Sequence, residues 1–298
     1  MAGGADLDLD LDLDVSRPPV ALTIAGSDPS GGAGIQADLK TFSALGVYGT
    51  AVLTALTAQS TQGVTGIHVV PPQFVRDQLD TLLADVRVDA IKIGMLAGAP
   101  TIEAVTAFLR ERSGRSERGA GDRPVVVDPD PIVVLDPVMV STSGSRLLAD
   151  DAVDAMRELL PYASVVTPNL PEAAVLLGVD PARDTDMMRA QAHALRDLGA
   201  RRLLLKGGHL TGADATDLWL DDDGERLLHA RRVPTRNTHG TGCSLSSAIA
   251  ALVPQRASWL EAVTDAKAWL TGALASADRL DIGAGPGPVH HFYRVWNN

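Results

Sequence analysis

The segment NTHGTGCSLSSAIAAL, residues 237 to 252, sets small residues directly against an apolar run of helical length. The first N–H groups of a helix have no partner within it. The aligned peptide dipoles add about half a positive charge at that end, so such a start can hold an anion such as a transferring phosphate. Gly240 and Gly242 let the main chain approach that anion closely. A glycine turn ahead of a core helix has the same composition, so the segment needs partners elsewhere. Cys243 falls in the first turn, where the same dipole favours a thiolate. A lone cysteine otherwise serves as a small core residue, and its position here makes it a candidate catalytic group.

Four further sets of residues can supply such partners. TIAGSDPSGGAGIQADLKTF, residues 23 to 42, reads as a strand, a turn rich in Gly, Ser and Pro, and a helix beginning near Gly32. Turns of this kind at the carboxyl ends of parallel strands are where α/β proteins bind ligands. The turn matches neither G-x-G-x-x-G nor the phosphate-loop pattern ending in GK[ST]. Asp38 and Gln59 lie near the ends of apolar segments and can hydrogen-bond a heteroaromatic ring; Asp38 can equally be an exposed helix residue. In LDPVMVSTSG, 135 to 144, Asp136 ends an apolar strand, and in TPNLPEAAVLLG, 167 to 178, Asn169 and Glu172 lie three apart where a strand gives way to a helix. Oxygen ligands at neighbouring strand ends suit a hydrated Mg²⁺ that shares nucleotide phosphates, while Asn169 and Glu172 also fit a helix cap. Lys206 closes the apolar run RLLLKGGH as a phosphate contact or a solvated strand end.

These groups need a scaffold, and the chain from Val20 onward reads as alternating strands and helices. Strands are expected at Val20 to Ser27, Gly49 to Ala58, Ala90 to Leu96, Val125 to Val127, Ile132 to Asp136, Ser164 to Pro168 and Arg202 to Gly207. Most are continuously apolar, as buried parallel strands are. Helical spacing joins Ile35, Leu39, Phe42 and Leu45, then Phe74, Leu79, Leu82 and Leu83, then Val105, Phe108 and Leu109, then Val153, Met156, Leu159 and Leu160. A loop, SGRSERGAGDR, occupies 113 to 123, and of the two similar runs that follow, Ile132 to Asp136 is the preferred central strand. Residues 216 to 235 carry a hairpin signal around DDDG, and 240 to 277 read as two helices about Pro254.

Composition narrows the partners. With 37 acidic and 26 basic residues the formal charge is −11, and no basic stretch offers itself to a nucleic-acid backbone. No apolar run reaches the roughly 18 residues of a membrane span. A single cysteine excludes an internal disulfide and a cysteine-rich zinc site, and the seven histidines show no metal-ligand spacing. The N-terminus lacks a secretory pattern, so the cytoplasm is the expected compartment. Residues 1 to 17, MAGGADLDLDLDLDVSR, read as a disordered acidic tail, and 18 to 298 as a single domain.

Taken together, TIAGSDPSGGAGIQADLKTFSALGVYG, KIGML, LDPVM, TPNLPEA, LLLKGGH, NTHGTGCSLS, AKAWL and GPVHHF resemble, in this order, the hydroxymethylpyrimidine/phosphomethylpyrimidine kinases of bacterial thiamine biosynthesis. The resemblance runs from about Val20 to Phe292. It implies a ribokinase-like three-layer α/β/α sandwich around a mainly parallel sheet. The implied reaction is transfer of the ATP γ-phosphate to the pyrimidine hydroxymethyl group, followed by a second transfer to give the diphosphate. By the same resemblance Gln59 meets the aminopyrimidine edge, and Gly26, Ala33, Asp38, Met95 and Val138 are pocket positions. Asp136 and Glu172 are metal-associated, Asn169, Lys206 and Lys267 are nucleotide positions, and Gly240, Thr241, Gly242 and Cys243 form the anion hole and catalytic position. A homodimer is implied too. Pyridoxal kinases share the scaffold and are the competing reading, and a non-catalytic pyrimidine-binding protein is another. The acidic repeat and the lengthened stretch 113 to 133 depart from the family pattern.

Overall fold

The computed structural model describes residues 17–116, 131–139 and 152–296. The acidic repeat, most of the 113 to 123 loop and the run 125 to 127 lie outside these residues.

An eight-stranded sheet forms the middle of the molecule. Its strands are β1 (Val20–Ala25), β2 (Tyr48–Leu53), β5 (Ala90–Ile93), β6 (Ile132–Leu135), β7 (Val165–Val166), β8 (Leu203–Leu205), β9 (Asp214–Asp221) and β10 (Gly224–Arg231). They are ordered β10-β9-β8-β7-β6-β5-β1-β2. Pairing is parallel from β2 through β8, and the β9–β10 hairpin adds on antiparallel. A separate two-stranded sheet joins β3 (Ala55–Ser60) and β4 (Gly63–Val69).

Alternation along the strands builds two cores. Leu203 and Leu205 enter the core formed with α2 (Pro72–Asp85), α3 (Ala99–Ser116), α4 (Ala152–Leu159), α5 (Leu170–Leu177) and α6 (Thr185–Asp197). Leu204 enters the opposite one, formed with α1 (Gly34–Ala44), α7 (Thr241–Leu252) and α8 (Trp259–Ala275). Both faces of the sheet are covered, which is why its inner strands β6, β7 and β8 are continuously apolar. The result is the expected three-layer α/β/α sandwich.

Three elements differ from expectation. The run Gly49 to Ala58 is two strands in different sheets, because Thr54 leaves the ladder: its N–H donates to Ala25 O and its hydroxyl to Met95 O. Strand β4, GVTGIHV, is interrupted by glycine and goes unread, as does α6, which Asp184 starts by accepting the N–H of Met187. Ile132–Leu135 takes the central place between β5 and β7.

Candidate active site

Because six adjacent strands run in one direction, their carboxyl ends and the loops that follow share one edge of the sheet. A cavity of about 660 Å³ opens there. Gly26, Ala33, Gln59, Met95, Asp136, Val138, Asn169, Glu172, Lys206, Lys267 and Gly240 to Cys243 all line it.

One end of the cavity is built by α7. Gly240 caps the helix in the left-handed conformation, φ +76°, and packs so closely on the Gly32 carbonyl that any Cβ there would collide with it. The first turn faces a charged pair: a Cβ on Gly242 would stand 3.3 Å from Lys206 Nζ and 3.5 Å from Asp136 Oδ2. Lys206 Nζ donates to Asp136 Oδ1 at 2.7 Å. Burial pushes the Lys206 ammonium toward neutrality, but Asp136 and Glu172 outweigh it and hold its pKa above the ordinary value. Glu172 is buried beside them; burial, opposed by Lys206 and assisted by Asp136, pushes its carboxyl up to about 7. Asn169 and Glu172 also form a reciprocal capping box on α5, with Glu172 N–H donating to Asn169 Oδ1 and Asn169 N–H to Glu172 Oε2, each at 2.8 Å. The helix-cap reading of these residues holds, and the cap fixes both side chains at the cavity wall. Among the described residues no third His, Cys, Asp or Glu joins Asp136 and Glu172 in a metal-holding group.

Cys243 corrects one expectation. Burial pushes its thiol up to about 11, with the Lys92 ammonium and the Gly34 N–H pulling down and Asp38 and Asp136 adding to the rise. The neutral thiol, not a thiolate, is the resting form, because desolvation outweighs the favourable groups at the helix start.

The other end belongs to the turn after β1 and to β3. A bulge in the β3–β4 pairing between Ala58 and Gln59 sets the direction of the Gln59 side chain, half-buried at the wall. Gly26 leaves room for the Met95 methyl, which a Cβ would meet at 2.3 Å. Asp38 is a second correction. It does not line the cavity but lies fully buried, accepting from Thr23 Oγ1 at 2.6 Å, Ser247 Oγ at 2.7 Å and Lys92 Nζ at 2.9 and 3.0 Å. Its oxygens are committed to β1, β5 and α7, so it braces the floor of the site.

At the far end Lys267 Nζ donates to Asp217 Oδ2 at 2.6 Å and Ala215 O at 2.9 Å, and Gly207 N–H donates to Asp217 Oδ1. Ala230, Val233, Leu270 and Leu274 complete an apolar wall there.

Residues 28–290 match the family model described as phosphomethylpyrimidine kinase. The chain belongs to the phosphomethylpyrimidine kinase family. It is 52% identical over 277 residues to the hydroxymethylpyrimidine/phosphomethylpyrimidine kinase of Salmonella typhimurium, covering 93% of this chain and 98% of that one. Its fold is similar to an ADP complex of Bacillus subtilis pyridoxal kinase, with TM-score 0.81 and 34% identity, covering 94% of this chain and 100% of that one. It is likewise similar to the phosphomethylpyrimidine kinase of Clostridium difficile, with TM-score 0.71 and 35% identity, covering 86% and 99%.

Four residues of this kinase-family site escape a reading of the sequence by itself. Asp28 and His239 meet at the cavity wall at 2.7 Å, Lys92 forms the buried pair with Asp38, and Asp217 anchors Lys267. Only Lys92 carries a local signal: a cation inside the apolar strand AIKI must have a buried partner. The charged partners of the other three lie 50 or more positions away.

Proposed function

We propose that this protein transfers the γ-phosphoryl group of ATP to the hydroxymethyl group of 4-amino-5-hydroxymethyl-2-methylpyrimidine, then phosphorylates the monophosphate to the diphosphate, for thiamine biosynthesis. The observation that carries this reading is the convergence, in one cavity, of the α7 start, the Lys206–Asp136 pair and the Gln59 wall. A phosphoryl group held between the α7 start and Lys206 lies between a ring site at Gln59 and a nucleotide site along Asn169, Lys206 and Lys267.

Each group then has a task. The first-turn N–H groups of α7 and the Lys206 ammonium hold the charge that spreads over the transferring phosphoryl oxygens. Gln59 offers both a donor and an acceptor to the aminopyrimidine edge, while Gly26, Ala33, Met95 and Val138 shape the ring's pocket. Cys243, at the first turn, stands where the substrate hydroxyl must release its proton, and as a neutral thiol it leaves the anionic second substrate unopposed. The apolar wall by Lys267 suits adenine. Two buried carboxylates beside a phosphate site, with room left for water and phosphate oxygens, fit the donor set of Mg²⁺. Asp136 and Glu172 would hold it, and it would neutralise phosphate charge.

Dimerisation is part of the proposal, supported by Leu56, Ile67 and Val69, large apolar residues exposed on β3 and β4. Sedimentation as a monomer at micromolar concentration would refute it. No helix of the described residues is long and apolar enough to cross a membrane. A cytoplasmic site of action is part of the proposal.

A coupled assay of ADP release with the hydroxymethylpyrimidine, its monophosphate and pyridoxal tests the reading. Turnover with both pyrimidines supports it. Turnover confined to pyridoxal would make the chain a pyridoxal kinase, and no turnover with any of the three would refute a kinase role.

A further inference from the structure

An amide such as that of Gln59 has two orientations that differ by a half-turn about Cγ–Cδ and present opposite hydrogen-bonding patterns to a ligand. The surroundings of Gln59 distinguish them. One end of the amide lies 3.5 Å from His239 Nε2, and the other 3.2 Å from Thr57 Oγ1. His239 Nε2 is also 2.7 Å from Asp28 Oδ2. That carboxylate is saturated with donors: Ser30 N–H and Oγ on Oδ1, and the N–H groups of Gly32 and Ala33 on Oδ2. Burial works to raise its pKa, but the bonds from His239, Ser30 and the loop outweigh it and hold Asp28 below the usual carboxylate range. An ionised carboxylate only accepts, so His239 Nε2 carries a proton.

The rest follows by counting donors. With the amide nitrogen toward His239, as the atoms lie, two donors face each other. The single Thr57 proton would then have to serve both the amide oxygen and Ser27 O, which it reaches at 2.9 Å. A half-turn of the amide moves no other atom. It gives the NH₂ to the lone pair of Thr57 Oγ1, leaves the Thr57 proton to Ser27 O alone, and replaces the donor–donor contact by an oxygen beside the His239 N–H, whose proton stays with Asp28.

We propose that the Asp28–His239 pair is a positioning unit that locks the Gln59 amide with its oxygen toward His239 and its NH₂ toward Thr57. The lock selects rings that carry a donor on the His239 side and an acceptor on the Thr57 side. The exocyclic amine and adjacent ring nitrogen of a 4-aminopyrimidine have this pattern; a 4-oxopyrimidine, with a carbonyl and a ring N–H, has the inverse. The selectivity half of the proposal rests on the pyrimidine reading of the cavity. The lock itself is a property of the free protein.

Two measurements on the full chain test it. In protein labelled with ¹⁵N at both histidine ring nitrogens, long-range ¹H–¹⁵N spectra without substrate should show His239 Nε2 protonated; an unprotonated Nε2 overturns the lock. In kinetics, the wild type should prefer the 4-amino compound to its 4-oxo counterpart. His239→Leu frees the amide and should lower that ratio of kcat/KM at least tenfold. Asp28→Asn should act in the same direction, and the double variant should lose no more than the worse single one. Equal losses on both compounds, with the ratio unchanged, would reduce His239 to a structural residue and overturn the proposal. A wild type inert toward both pyrimidines would overturn the functional reading and the selectivity with it, while the ring protonation still decides the lock.

Discussion

Replacing Cys243 with aspartate places a fixed charge where the structure keeps a neutral group. The thiol, at about 11, is uncharged at pH 7. An aspartate starts from about 3.9 and would need a rise of some three units to become neutral there. The two substrates differ in what they bring to this position. The first is an uncharged alcohol; the second is a phosphate monoester with a second pKa of about 6, whose attacking oxygen is anionic near neutral pH. At an effective dielectric of about 20 and a separation of about 4 Å, two unit charges repel by roughly 4 kcal/mol, close to a thousandfold in rate constant. Cys243→Asp should therefore cut kcat/KM for the monophosphate by about 10³ while sparing the alcohol most of that loss. Cys243→Ala should impair the alcohol more, because only the alcohol has a proton to lose and the minor thiolate form in equilibrium with the resting thiol is what can take it. The assay follows ADP release with each substrate supplied separately to each variant. The loss on the monophosphate should shrink between pH 8 and 6, as the phosphate takes up its second proton. Equal losses on both substrates in Cys243→Asp would refute the charge argument.

Gln59→Leu should raise KM for the pyrimidine by about 5- to 150-fold, the ~1–3 kcal/mol of leaving ring polar groups unpaired, with KM for ATP unchanged; an unaltered pyrimidine KM removes Gln59 from the ring site. Lys92→Met leaves the Asp38 carboxylate buried without its cation, and urea unfolding should show a loss of about 3–5 kcal/mol, most of it recovered in Lys92→Met/Asp38→Leu. A single variant within 1 kcal/mol, roughly the worth of an exposed pair, would show that the pair is not a brace. His291 lies buried with Nε2 3.0 Å from Ser244 Oγ, and burial, Lys40 and His290 push it down to about 3. Its unfolded form, near 6.5, binds the proton that the folded form refuses. Stability is therefore fully present above pH 6.5 and falls as the pH drops, by roughly 2 kcal/mol at pH 5. Denaturation at pH 7 and 5 should show this slope flattened in His291→Phe.

Much of this protein is legible before any coordinates. Continuous apolar strands separated by amphipathic helices demand a sheet covered on both faces, and the two leucine cores on opposite sides of β8 are the direct consequence. Strand-end motifs in a parallel sheet must share one edge, so Asp136, Asn169, Lys206 and the α7 start were bound to meet. What the residues in order could not reveal is which polar groups end up facing the cavity and which lie beneath it. Asp38 has the spacing of a ligand contact, yet Lys92, Thr23 and Ser247 claim its oxygens from three other elements. Cys243 has the position of an activated thiol, yet the packing around it decides for the neutral form. Gly240 signals a turn, but only the Gly32 carbonyl lying against it explains why no side chain fits. Asp28 and His239 stand 211 residues apart, and nothing in either segment indicates the other. Periodicity and turn chemistry are local and survive translation into sequence. Desolvation and hydrogen-bond pairing depend on what the rest of the chain brings alongside, and only the tertiary structure decides them.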